Sequence, residues 1–187
     1  MFEYVFVLAS VIIGLAITHL LQGVAGVIQQ RDGKPLYWVH LVWVGFMFLT
    51  LAFWWWWEFR FQQVQTWTFP IYFFVLLYAV LMYVICAMLF PRDLDGFESW
   101  KDYHYARRGW FFGLAVLAQP MDVMDTWLKG SEHLAALGAE YWIAKAVIVA
   151  GYVVAIAWRN ERYHAAFALA SVAYQLSYVL RMFETVA

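Results

Sequence analysis

Six long stretches of this chain are almost free of charge: Tyr4–Ile28, Leu36–Trp57, Trp67–Phe90, Gly109–Leu128, Tyr141–Trp158 and Tyr163–Leu180. A helix needs about 20 apolar residues to cross a bilayer, and inside hydrocarbon it must satisfy its own backbone polar groups. The expected fold is therefore an all-α integral membrane protein, a bundle of six transmembrane helices forming one domain over residues 1–187. Composition agrees, with 65% hydrophobic and 13% charged residues, against about 45–50% and 25% in soluble domains. The first stretch is too long, and its start too poor in basic residues, for a removable signal peptide.

Breakers separate the stretches. QQRDGKP supplies Gly33 and Pro35 after the first, and Pro91 closes the third. Residues 91–108 form the longest connection, PRDLDGFESWKDYHYARR, with Leu94, Phe97, Trp100 and Tyr103 three apart. That spacing predicts a loop with a short amphipathic helix lying in the cytoplasmic interface. Asp93, Asp95, Glu98 and His104 lack the spacing of a calcium loop and read as a solvated face. A faint likeness between GVAGVIQQR (23–31) and GYVVAIAWR (151–159) rests mostly on apolar letters.

Lysine and arginine placement sets the orientation. With six spans, the first, third and fifth connections carry eight basic residues and the opposite side three, leaving Lys145 aside as intramembrane. Those connections are then cytoplasmic, and both termini lie outside the cytoplasm, most simply in a bacterial inner membrane. A five-span alternative with a re-entrant fourth stretch gives the same balance. Six is preferred because Gly109–Leu128 has spanning length and short antiparallel connections are the rule in bundles.

Trp54, Trp55, Trp56 and Trp57 stand together before Glu58 and Arg60. Successive helical residues are about 100° apart, so four indoles in one turn form a collar rather than a core stripe. Indole has an apolar body and one N–H donor, which suits the membrane–water boundary. The competing use is a stacking platform for an aromatic ligand such as a quinone.

Charges at membrane depth are costly and normally face the bundle interior or water. From Gly109 to Met121 there are 13 uncharged residues, so a full crossing takes Asp122, and with it Asp125, below the surface. Pro120 precedes them and removes a backbone donor. Reflected through a turn near residue 134, Asp122 falls opposite position 146, which sets Lys145 at similar depth on the adjacent helix. Gln175 mirrors Lys145 in turn, within a polar stripe of His164, Ser171, Tyr174, Gln175, Tyr178 and Arg181. Asp122, Asp125, Lys145 and Gln175 thus form the candidate polar site, with His19 deeper in the first stretch. A frayed helix end and a lysine that snorkels to the headgroups are the structural alternatives.

Ser10, Gly14 and Thr18 continue through Gln22 and Gly26 as a ridge of small and polar residues that lets helices approach closely. It offers a contact for a homo-oligomer or a larger membrane complex. His19 beside it fits an interhelical hydrogen bond, a proton relay or a metal or haem ligand.

No field points to nucleic acid, since net charge is −1 and neither a P-loop nor a dinucleotide-binding glycine pattern occurs. The single cysteine, Cys86, excludes an internal disulfide. No nucleophile–base pair, HExxH motif or catalytic carboxylate dyad is legible. Neither metal nor cofactor is expected, although haem or quinone would suit the aromatics and histidines. Three functions remain: a channel or transporter with a proton or cation path, a non-catalytic accessory subunit, or a membrane redox component.

Overall fold

A computed structural model describes residues 2–29, 33–64 and 66–183. Among them are seven α-helices, one 3-10 turn and no strand. The helices are α1 (Phe2–Ile28), α2 (Trp38–Glu58), α3 (Phe69–Ala87), α4 (Trp100–Leu128), α5 (Ser131–Ala136), α6 (Gly138–Ala157) and α7 (Glu161–Phe183), with the 3-10 turn Phe59–Gln63 extending α2. Residues 184–187, to which the expected external C-terminus refers, lie outside the described residues, as does Arg31.

Local chemistry sets the boundaries. Pro70 occupies the first turn of α3, where its missing N–H is no loss. Ser99 caps α4 by accepting from the Asp102 backbone N–H at 3.1 Å, and Asn160 Oδ1 caps α7 by accepting from Tyr163 at 3.0 Å. Gly33, Gly130 and Gly138 hold turns at positive φ.

Four helices are long and apolar enough to cross a membrane: α1, α2 with its 3-10 extension, α3 and α6. Helices α4 and α7 are as long, at 29 and 23 residues, but carry more charge. The outer surface is apolar, exposing Val11, Leu15, Leu21, Phe69, Phe73, Val147 and Leu180. Large apolar side chains on the outer faces are compatible with a cover of lipid.

Helix α1 packs on α3, α4 on α6, and α2 on α7, while α3 joins α4. Trp43 lies at the centre, fully buried among Phe111 and Phe112 of α4, Tyr152 of α6 and Phe167 of α7. Helix α1 buries Val5, Ala9, Ile13, Ala16 and Leu20, a stripe of spacing three and four. The Ser10–Gly14–Thr18 ridge lies beside that stripe, with nothing within 4 Å of a Cβ built on Gly14.

One expectation needs correction. Residues 100–108 are not a separate interfacial helix but the first turns of α4. Leu94, Trp100, Tyr103 and His104 are buried rather than laid on a surface. The cause is tethering: Trp100 N–H donates to Pro35 O at 3.1 Å, and Lys34 Nζ donates to Phe97 O at 2.7 Å and to Leu94 O. These bonds fold the segment over the α2 end, where its apolar residues find protein instead of lipid. Helix α4 runs unbroken through Pro120, about 43 Å at 1.5 Å per residue.

Candidate functional site

A cavity of about 340 Å³ opens between α2, α3, α4, α6 and α7, at the end of the bundle where α5 sits. Asp122, Asp125, Lys145 and Gln175 all line it. These four come from α4, α6 and α7, and the bundle brings them together.

Asp122 and Lys145 meet directly, with Oδ2 2.6 Å from Nζ. The carboxylate also accepts from Tyr141 Oη at 2.9 Å and, through Oδ1, from Tyr78 Oη at 3.4 Å. Lys145 donates to Gln119 Oε1 at 3.2 Å, and its ammonium lies 5.3 Å from the Tyr141 ring centre. Charge, hydrogen bonds and an aromatic face thus replace lost water around the pair.

Asp125 faces a different partner. Lys129, one turn on, bonds both Asp125 Oδ2 and Glu58 Oε1, the latter at 2.6 Å. All three side chains are sealed, at 4%, 5% and 1% exposure for Asp125, Lys129 and Glu58. The Lys129 ammonium also lies 5.0 Å from the centre of the Phe61 ring. Glu58 Oε2 and Asp125 Oδ1 have no hydrogen-bond partner.

Gln175 Nε2 donates to Thr50 Oγ1 at 2.8 Å, tying α7 to α2, while its Oε1 has no partner. Tyr174 and Tyr178 of the same stripe line the cavity. Arg181 lies further out and forms a two-pronged pair with Glu140 at 2.6 and 2.9 Å. At the mouth, Arg60 donates to His133 Nδ1 at 3.4 Å. Burial first, then the Arg60 and Lys129 charges, lower the His133 pKa, which suits an imidazole accepting from a guanidinium.

The tryptophans divide, and the uniform collar does not hold. Trp54 is buried edge-on to Tyr78, and Trp57 sets its ring against Tyr178; both line the cavity. Trp55 packs on Phe6, and Trp56 is exposed. Steps of about 100° force the division, because only part of a helix's circumference can face outward.

His19 is not part of this site. Its Nε2 lies 3.1 Å from Phe90 O, joining α1 to the end of α3, and it does not line the cavity. Of its three possible roles, the interhelical hydrogen bond is the one with a partner in place. Sequence reasoning missed Glu58, because a glutamate after a tryptophan run reads as interfacial.

It also missed a second buried group at the opposite end of the bundle. His40, His104 and His164 come from α2, α4 and α7, with ring centres 5.9 and 5.5 Å apart in sequence order. Their rings meet edge to face among Tyr37, Trp100, Tyr105 and Phe112. Among the described residues no three His, Cys, Asp or Glu are grouped as metal ligands, and His40 Nδ1 and Nε2, His104 Nε2 and His164 Nδ1 have no hydrogen-bond partner.

Comparison with family models, curated proteins and solved structures finds no match to this chain.

Proposed function

We propose that the chain is an integral membrane protein of six spans in a bacterial inner membrane, acting as a small channel or transporter. Its polar path for protons or cations would run through the cavity among α2, α4, α6 and α7. Helices α4 and α7 supply the two further spans, their charges turned inward or confined to their ends. One observation carries the reading: a cavity walled by largely apolar helices is lined by two carboxylates, two lysines, an arginine and two glutamines. Charged side chains at membrane depth normally face the bundle interior or a water-filled path.

Purified protein in proteoliposomes, assayed for proton and monovalent-cation flux under an imposed gradient, tests this. Flux should exceed that of empty vesicles and fall in Asp122→Asn. No flux of either kind would remove the reading. Orientation is tested by an alkaline phosphatase fused after Ala187, which should be active outside the cytoplasm.

A second reading, a non-catalytic subunit of a membrane complex or homo-oligomer, draws on the ridge of α1. Gly14 and Thr18 are exposed, and a Cβ on Gly14 would meet nothing within 4 Å. Cross-linking from Thr18→Cys in membranes tests it. A redox role has weaker support, since His19 already meets a carbonyl; an absorbance spectrum of the purified protein tests for haem or quinone.

A further inference from the structure

Glu58, Asp125 and Lys129 have an unbalanced charge count. Two carboxylates and one ammonium would leave net −1 in a volume from which water is excluded. Such a charge is expensive without compensation, and two carboxyl groups sharing one site avoid it by keeping a proton. The stereochemistry agrees. Each carboxyl gives one oxygen to Lys129 and leaves the other, Glu58 Oε2 and Asp125 Oδ1, without a donor. Both carboxyls bond the same ammonium and so stand side by side, a neighbourhood that is favourable only when one carries a proton.

Among the described residues Lys129 is the one cation that contacts Glu58 or Asp125. Lys145 is engaged by Asp122, and Arg60, on the 3-10 turn, turns to His133 of α5. Tyr78 of α3 and Tyr141 of α6 spend their hydroxyls on Asp122. Helix α7 brings Ser171, Tyr174, Gln175, Tyr178 and Val179 to this cavity, none of them a cation.

We propose that Glu58 and Asp125 form a proton-binding carboxyl pair, holding one shared proton beside Lys129 at the edge of the cavity. In the loaded state one carboxyl is neutral, the other is an anion balanced by Lys129, and the trio has zero net charge. Unloading passes the proton from the pair to water in the cavity, which Asp125 and Lys129 line, and leaves the trio at −1. A cation entering the cavity offsets that charge, so cation binding and proton release favour each other. This exchange rests on the transport reading; the held proton itself does not.

Infrared spectroscopy of the purified protein at neutral pH tests the pair. Wild type should show the carbonyl stretch of a protonated carboxyl, shifted to lower frequency in heavy water. The band should disappear in Glu58→Gln and in Asp125→Asn, where the remaining carboxylate pairs with Lys129 alone. It should persist in Asp122→Asn. Absence of the band from wild type, or its survival in both Glu58→Gln and Asp125→Asn, overturns the proposal. Should either variant fail to fold, the wild-type spectrum and the other variant decide. A band without flux would leave the pair standing and remove the transport reading.

Discussion

Lys145 Nζ stands 2.6 Å from Asp122 Oδ2, joining α6 to α4 on the cavity wall while 23% and 31% of the two side chains remain accessible. Partial access matters. The pair is shielded enough to need its partner, yet open enough to part and re-form when something else enters.

Asp122→Asn and Lys145→Met should each lower the melting temperature in detergent, and the double variant should recover part of the loss. Direct contacts of this kind couple by about 0.5–3 kcal/mol, and access to the cavity keeps this pair below the ~3–5 kcal/mol of a fully sealed one. A double-mutant cycle measures the coupling. Strictly additive losses would mean the contact contributes nothing.

Trp54 and Trp56 should separate sharply despite lying two residues apart. Trp54→Ala removes a buried indole that packs on Tyr78, a loss of about 3–5 kcal/mol for such truncations. Trp56 is 53% exposed, and Trp56→Ala should stay within about 0.5 kcal/mol, as exposed changes do. Thermal melts of both variants check this, and equal losses would restore a uniform collar.

The contrast shows what was legible. Apolar run length gave the principal helices, and reflection through short turns placed Lys145 opposite Asp122 and Gln175 near both. Those inferences need only helix rise and antiparallel order. Glu58 was not legible, because its partners, Lys129 and through it Asp125, reach it from the end of α4. That meeting is tertiary and leaves no periodic signal around Glu58. His104 failed for a similar reason: the polar letters around it read as solvated, but bonds from Trp100 and Lys34 fold the segment inward. Which two of the four tryptophans face the cavity depends on the rotation of α2, which its nearly uniform apolarity does not reveal.

Glycines at two helix crossings should be intolerant of a methyl group. A Cβ on Gly23 would stand 2.2 Å from the Phe90 ring, and one on Gly151 would stand 2.3 Å from Phe167. Gly23→Ala and Gly151→Ala should each cost about 1–3 kcal/mol through overpacking. Gly14→Ala meets open space and should leave the monomer's melting temperature unchanged. A loss at Gly14 that appears only in membranes, alongside reduced Thr18→Cys cross-linking, would assign the ridge to an interface between copies.

Lys129→Met should be the most damaging single change at the cavity. It leaves Glu58 and Asp125 facing each other with no cation, and removing one member of a sealed ion group costs about 3–5 kcal/mol. Proton uptake by the second carboxyl can relieve the charge, but the oxygens that Lys129 satisfied then lack donors. Adding Asp125→Asn to Lys129→Met should therefore recover part of the stability, because the amide supplies an N–H donor to Glu58 and removes one charge. Thermal melts of the single and double variants, run at several pH values, separate the two effects. Loss in Lys129→Met should be larger at high pH, where both carboxyls tend to ionise, and smaller at low pH, where both are neutral. A loss independent of pH would mean that Lys129 acts there through its bulk in the packed interior, and not through its charge.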